Sequence, residues 1–484
     1  MNAPLRRLAI VAALLFAALL TSTTYVQFVA AGSLNSRADN VRSFYKEFGQ
    51  PRGALLVAGQ PVAESVPVKD SYGYQRRYPA GPQYAAVTGF YSVVYGTSGM
   101  ESAAGPTLSG NSNDLFYRRI GDLITGRTPQ PPSVQLTINP KAQQAAWDAL
   151  GDQRGAVVAM DPSTGAVLAL VSKPSFDPNR LASHDTKVVK QSWTDLNKDT
   201  TRPMDNRAIA GREYAPGSVF KVVTSAAALS SGKYTPDTLL PGPDKLPLPQ
   251  STVPLPNDFD GPCTPSGQIS LLEALQISCN TAFGSLGMTL GEQALQQQAQ
   301  AFGFGKPLSI PLRVSESVFP VNLPQSSLAQ SAIGQFSVRV TPMQVCMIAA
   351  AVANHGVLMK PYLDEATVGS NLEVMSRTQP KKLAEPISSD AAAQLTTMMQ
   401  AVVENGTGTR AQIPGVKVAG KTGTAQQGPG QPPNAWFTAF APADNPKVAV
   451  AVVVEDGGSL NERATGGQVA APIAKKVIQA VLGQ

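Results

Sequence analysis

The chain has 484 residues, 43% of them hydrophobic and only 15% charged, which is enough apolar material for one large core and a smaller one. Its formal charge of +6 is spread over scattered lysines and arginines, not gathered into a basic stripe, so nucleic-acid binding has no support. Only two histidines occur, His184 and His355, without partner spacing, so a histidine-based triad or a zinc site lacks the residues it needs.

Arg6 and Arg7 precede the apolar run Leu8–Leu20, which Thr21–Thr24 interrupts and Tyr25–Ala31 resumes. Crossing a hydrocarbon core takes about 20 residues, so Leu8–Ala31 is expected to be a membrane anchor. The positive flank puts the amino end in the cytoplasm and everything after the run outside. A signal peptide cleaved after Val29-Ala30-Ala31 is the competing expectation, and either way the bulk of the chain is exported. A mixed polar segment with apolar patches at Ala54–Ala58 and Ala85–Val94 follows to about Arg127, and Thr128-Pro129-Gln130-Pro131-Pro132 has the composition of a stiff linker.

Beyond it, Val134–Ile138 alternates as a strand does, and Lys141–Leu150 has the composition of a helix. Gly155–Met160 and Ala166–Val171, joined by Asp161-Pro162-Ser163-Thr164-Gly165, are expected to form a β-hairpin. Helical patterns then dominate: Val219–Leu229, Leu271–Leu290, Glu292–Phe302, Thr341–Asn354 and Ala391–Val403. Strands return at Val416–Ala419, Trp436–Phe440 and Val448–Val454, and Val469–Leu482 closes the chain as a helix. Strands at both ends of a helical stretch imply one sheet assembled from distant pieces, an α+β layer architecture.

Three motifs lie within that stretch in order: Ser218-Val219-Phe220-Lys221, Ser278-Cys279-Asn280 and Lys421-Thr422-Gly423-Thr424. This ordered set is the known signature of penicillin-recognising serine acyltransferases. Each alone is weak. Ser-x-x-Lys recurs at Ser43–Lys46 and Ser230–Lys233, and Ser-x-Asn at Ser33–Asn35, Ser109–Asn111 and Ser459–Asn461. Context separates them, because Ser218 follows Tyr214-Ala215-Pro216-Gly217 and opens an apolar run, placing Ser218 and Lys221 in the first turn of a helix on one face. A serine hydroxyl needs a base, and Lys221 can serve if burial and a second cation, Lys421, push its pKa down. Ser278 can relay a proton among Lys221, Lys421 and the leaving amine. An exported chain permits Cys263 and Cys279 to pair, two free thiols being the alternative, and Cys346 is expected to be an inert core residue.

With these residues the chain resembles a class B penicillin-binding protein, closest to the actinobacterial penicillin-binding protein A type, from about Val134 to the end. Beyond the motifs, the likeness rests on Gly155–Val171, Asn206-Arg207-Ala208-Ile209, Gly334-Gln335 with Thr341-Pro342-Met343-Gln344, Gly406-Thr407-Gly408-Thr409 and Thr465-Gly466-Gly467. Arg52-Gly53 and Gly99-Met100-Glu101 resemble signatures of the family's non-catalytic region more weakly, and Cys279 departs at a variable position.

The resemblance implies a penicillin-binding transpeptidase fold: a five-stranded antiparallel sheet covered by helices, beside an all-helical lobe. Residues 1–32 would be a cytoplasmic stub and anchor, 33–132 an amino-terminal non-catalytic α+β domain, and 133–484 the transpeptidase domain. It implies an oxyanion hole from the backbone N–H groups of Ser218 and Thr424, a carboxylate clamp of Lys421, Thr422 and Thr424, and Asn280 on an amide of the acyl donor. Gly423 would let substrate approach the strand edge.

The activity implied is D,D-transpeptidation of peptidoglycan stem peptides through an acyl-enzyme on Ser218, without cofactor or metal and inhibited by β-lactams. A D,D-carboxypeptidase and a non-catalytic division scaffold or β-lactam sensor are the alternatives. A β-lactamase is disfavoured, since no Glu-x-x-Leu-Asn lies between Asn280 and Lys421. Too few residues precede Val134 for a fused glycosyltransferase, so a separate membrane-embedded glycan polymerase and cell-division proteins are the implied partners.

Overall fold

The structure is a computed structural model that describes residues 3–30, 48–112, 130–211, 213–369, 371, 373–428 and 430–484. Ser33–Asn35, Ser43–Lys46, Ala31 and the first two linker residues, Thr128 and Pro129, lie outside the described residues. The chain divides into two units, Met1–Pro51 with Ser65–Gln75, and Arg52–Glu64 with Arg76–Gln484.

In the first unit a helix, Ala3–Thr24, continues as a π-helical turn, Tyr25–Val29. Together they make one helix long and apolar enough to cross a membrane. Thr21 and Thr23 do not break it, because their hydroxyls donate back to the carbonyls of Ala17 and Leu19, each at 2.8 Å. Elsewhere in the unit Phe48 packs edge-on against Tyr72.

The second unit is built around a five-stranded antiparallel sheet in the order Ala419–Ala425, Asn434–Ala441, Val448–Val454, Gly155–Met160, Val167–Lys173. Val448–Val454 shows why the sheet is covered on both faces. Successive strand side chains point to opposite sides. Ala449, Ala451 and Val453 join the core that contains the Pro342–Ala353 helix. Val448, Val450, Val452 and Val454 join the core made with Pro140–Leu150 and Gly466–Leu482. Both faces are apolar, so the strand reads as a continuous run, and all seven residues are buried. Cys346 sits in that inner helix, fully buried, and burial pushes its thiol well up, so it stays protonated.

Helix starts follow local capping. Asn139 Oδ1 accepts from the N–H groups of Lys141 and Ala142 at 3.0 and 3.1 Å, and Thr341 Oγ1 accepts from Gln344 N–H at 3.1 Å. The helical lobe (Lys221–Ser230, Leu271–Gln276, Asn280–Leu290, Glu292–Ala301, Ser389–Asn405) also carries short two-stranded ladders, among them Leu239–Pro241 with Gln268–Ser270. A second sheet begins with Leu55–Val57, which pairs with Gln60–Pro67 and, in parallel, with Ser133–Leu136. Asp364–Val368 and Val374–Arg377 extend it, so strands from late in the chain complete a sheet begun near its start.

The two weak signatures meet in one buried cluster. Glu101 is fully buried and accepts from Arg52 Nε at 2.7 Å, Arg76 Nε at 2.6 Å and Tyr78 Oη at 3.2 Å.

Two helical expectations change. Leu271–Leu290 is not one helix. It ends at Gln276 and restarts at Asn280, and between them Ser278 adopts φ +63°. The apolar pattern runs through the break, and tertiary bonds to Ser278 override it. The Ser218 turn is likewise a 3₁₀ segment, Gly217–Phe220, and the α-helix begins only at Lys221.

Candidate active site

Ser218 is held from three sides. Gly217 donates its N–H to Gly334 O at 2.9 Å, Tyr214 and Val340 exchange backbone bonds at 3.0 and 2.8 Å, and Trp436 Nε1 donates to Ala215 O at 3.1 Å. Gly217 (φ +54°) and Gly334 (φ +79°) make this approach possible. A Cβ on Gly334 would lie 2.1 Å from Gly217 O, and one on Gly217 would lie 2.7 Å from Thr424 O. The nucleophile turn therefore lies directly against the third motif. Among the described residues the Ser218 hydroxyl makes no hydrogen bond, and the side chain opens on a cleft of about 300 Å³.

Lys221 is fully buried, one turn on. Its Nζ donates to Ser278 O at 2.7 Å, Ser278 Oγ at 3.2 Å and Asn280 Oδ1 at 2.7 Å, and it lies 5.5 Å from the Phe283 ring centre. Loss of solvent pulls its pKa down to about 7, the Asp258 carboxylate acting the other way. The left-handed backbone at Ser278 presents both its carbonyl and its hydroxyl to this amine, a local strain of the kind kept at functional sites.

Lys421 is also fully buried. Its Nζ donates to Thr422 O at 3.0 Å. Burial first, and then the positive charge of Lys221, hold its pKa well below the usual lysine value, against the pull of Asp258. Thr422 Oγ1 is 2.6 Å from Thr407 Oγ1, which fixes its rotamer.

The expected residues thus sort into two groups. Ser218, Ser278, Thr422, Gly423 and Thr424 line the cleft, while Lys221, Asn280 and Lys421 are buried behind its wall. Gly423 also has a packing role. A Cβ there would meet Pro216 O, Trp436 Cβ and Val219 Cγ1, each at 3.0 Å, so glycine lets the nucleophile turn pack on the strand.

The other Ser-x-x-Lys and Ser-x-Asn matches within the described residues stay outside the cleft. Ser230 ends a helix in solvent, and Ser459–Asn461 is an exposed turn. No cluster of three His, Cys, Asp or Glu side chains that could hold a metal occurs among the described residues.

Several groups escaped the sequence. Asn257 Oδ1 accepts from the N–H groups of Asn280 and Thr281 at 3.1 and 3.2 Å, and Asp258 Oδ1 accepts from Asn280 Nδ2 at 3.1 Å. Both lie in an irregular Pro-rich loop with no periodicity to flag them; Thr407 had a signal, as part of Gly406–Thr409.

Cys263 and Cys279 are joined as a disulfide with Cα atoms 6.0 Å apart and a separation of 16 positions in sequence, which ties this loop to the second motif. Peptide mapping without reduction is expected to recover them as one linked species. Cys263→Ser is expected to destabilise the chain by about 3 kcal/mol, the loop-closure value for this separation, read from denaturant melts.

A nucleophile without a histidine, two amines that burial drives toward neutrality and a threonine-lined cleft on a sheet edge define an active-serine acyltransferase of the penicillin-recognising class. The comparisons with known proteins agree. The model of the penicillin binding protein transpeptidase domain matches residues 155–479, and that of the penicillin binding protein A dimerisation domain matches residues 52–134. The chain is 45% identical to peptidoglycan D,D-transpeptidase PbpA of Mycolicibacterium smegmatis over an alignment of 491 positions, covering 100% of this chain and 99% of the relative. It is 43% identical, with the same coverage, to the protein of that name from Mycobacterium tuberculosis. Penicillin-binding protein A from M. tuberculosis, solved as its ceftriaxone acyl-enzyme complex, superposes with a TM-score of 0.87 at 44% identity, over 90% of this chain and 100% of that one. The chain belongs to the penicillin-binding protein transpeptidase family.

Proposed function

We propose that the chain is a serine D,D-transpeptidase that cross-links peptidoglycan stem peptides. The observation that carries this is the buried Lys221 amine, held near neutrality one turn from Ser218 and bonded to Ser278 and Asn280. Neutral Lys221 takes the Ser218 proton as Oγ attacks the carbonyl of the penultimate D-Ala. The backbone N–H groups of Ser218 and Thr424 face the developing oxyanion, and the closeness of the Gly217 turn to Thr424 supports that assignment. Collapse breaks the D-Ala–D-Ala bond, and the departing amine takes a proton relayed through Ser278. The acceptor stem's amine then attacks the ester, its proton returns through the same groups, and Ser218 is regenerated. Thr422 and Thr424 offer hydroxyls to the terminal carboxylate from the cleft wall. Lys421 lies behind them and bonds the Thr422 carbonyl, and Asn280 serves the donor's amide by exchanging one of its bonds to the loop for one to substrate.

In this reading residues 1–32 anchor the chain as a single pass with Arg6 and Arg7 in the cytoplasm. Residues 33–132 are a non-catalytic docking domain, and 133–484 works outside the membrane beside a membrane glycan polymerase and division proteins. β-Lactams act as acyl donors whose ester persists.

Incubation with penicillin G followed by intact-mass and peptide mass spectrometry tests the reading. One lasting acyl group on Ser218 is expected. Rapid hydrolysis would make the chain a β-lactamase, and no adduct would remove the proposal. With a D-Ala-D-Ala stem peptide and an amine acceptor, D-Ala should appear together with the cross-linked product; trimmed peptide alone would make it a carboxypeptidase.

A further inference from the structure

The segment Pro256-Asn257-Asp258 crosses the second motif as a set of acceptors. Asn280 Nδ2 donates to Pro256 O at 3.3 Å and to Asp258 Oδ1 at 3.1 Å, while Asn280 N–H donates to Asn257 Oδ1 at 3.1 Å. Both amide hydrogens of Asn280 therefore face the loop, which leaves Oδ1 as the atom turned to Lys221 Nζ at 2.7 Å. An amide rotated the other way would aim hydrogens at the amine and leave two acceptors in the loop unpaired. Asp258 is the only carboxylate among the residues lining the Ser218 cleft. Its charge acts on both Lys221, at the start of the Lys221–Ser230 helix, and Lys421, in the Ala419–Ala425 strand, opposing the effect of burial on each.

We propose that Asp258 is a positioning residue for acylation: its carboxylate is the counter-charge of the Lys221–Lys421 pair and, through the Asn280 amide, holds the Lys221 amine against Ser278. The inference rests on the transpeptidase reading above and adds a control on when the base is ready. Two cations behind one wall destabilise each other, and a carboxylate whose charge acts on both offsets part of that cost. Asp258 stands on an exposed loop residue, so its effect is partly screened by solvent and is adjustable by whatever enters the cleft.

The test is the pH profile of the second-order rate of Ser218 acylation by penicillin, measured on the whole chain in detergent for wild type, Asp258→Asn and Asp258→Glu. Asparagine keeps the acceptor oxygen and removes the charge. The sign is fixed: without the carboxylate Lys221 gives up its proton at lower pH, so the rising limb moves toward acid. At about pH 6 the Asn variant, relative to its own plateau, should react several-fold faster than wild type. Glutamate restores the charge and should return the limb toward the wild-type position.

A merely structural role would change the plateau without moving the limb. Superimposable limbs in three proteins that all acquire a penicillin on Ser218, or a Glu variant that behaves as the Asn one, overturn this inference alone. If wild type takes up no penicillin, the transpeptidase reading fails first.

Discussion

Lys221→Met is expected to slow acylation of Ser218 by about 10²- to 10⁴-fold, the range a positioned general base contributes, in a protein that still folds. Methionine matches the length of the lysine stem and suits a site with no solvent contact, whereas Ser218 loses its amine base and, among the described cleft residues, keeps only the Asp258 carboxylate, which is bonded to Asn280. Wild-type acylation should rise with pH through about 7, where Lys221 becomes neutral, and level off above; the variant should be slow and lack that limb. A near-wild-type rate with the limb intact would place the base elsewhere.

Stability supplies a second reading of the same group. The folded pKa lies below the unfolded lysine value, so the unfolded chain binds more protons between the two. The cost of burying Lys221 is complete below about 7 and fades as pH climbs toward the ordinary lysine range. Wild type should therefore gain melting temperature relative to Lys221→Met across that window, measured by calorimetry at fixed ionic strength.

The elements that could be read from sequence are those whose pattern and tertiary role agree. Val448–Val454 announces a strand with both faces buried, and the Asp161–Gly165 turn announces its hairpin. The three motifs were legible as chemistry because their residue types are scarce in that order. What could not be read was set by contacts between distant segments. Leu271–Leu290 carries an unbroken apolar pattern, yet Ser278 is pulled into a left-handed conformation by partners on another helix. Gly334 lies 117 positions after Gly217 (334 − 217), so nothing local shows that Gly334 makes room for the Gly217 carbonyl and Gly217 for that of Thr424. Asn257 and Asp258 look like ordinary loop polarity until the fold lays them across Asn280. Glu455, at the end of an apolar strand, looks like the first solvated residue and is instead buried.

Glu455→Ala is expected to cost about 3–5 kcal/mol, the effect of deleting one partner of a buried ion pair. Glu455 accepts from Arg207 Nε at 2.9 Å, Arg154 Nη2 at 2.7 Å and Tyr214 Oη at 2.7 Å. Arg207 is 1% exposed, so alanine would strand its guanidinium in the core with only the carbonyls of Arg202 and Thr201 as acceptors. Burial alone would raise the Glu455 pKa, but the Tyr214 hydroxyl and the two guanidiniums outweigh it and hold the group below the usual carboxylate value. Its stabilisation is therefore present above the unfolded carboxylate range and is lost as pH falls through the folded value, so wild type and variant should converge in strong acid. The consequence reaches the chemistry because Tyr214 begins the lead-in to Ser218 and packs edge-on against Trp436, which holds Ala215. Acylation of the surviving folded fraction should slow as well, while Glu455→Gln, which keeps an acceptor for Tyr214, should retain more of the rate than of the stability. A melt of Glu455→Ala within 1 kcal/mol of wild type, about the scale of an exposed pair, would show that Arg207 finds compensation elsewhere and that the lead-in is held without this carboxylate.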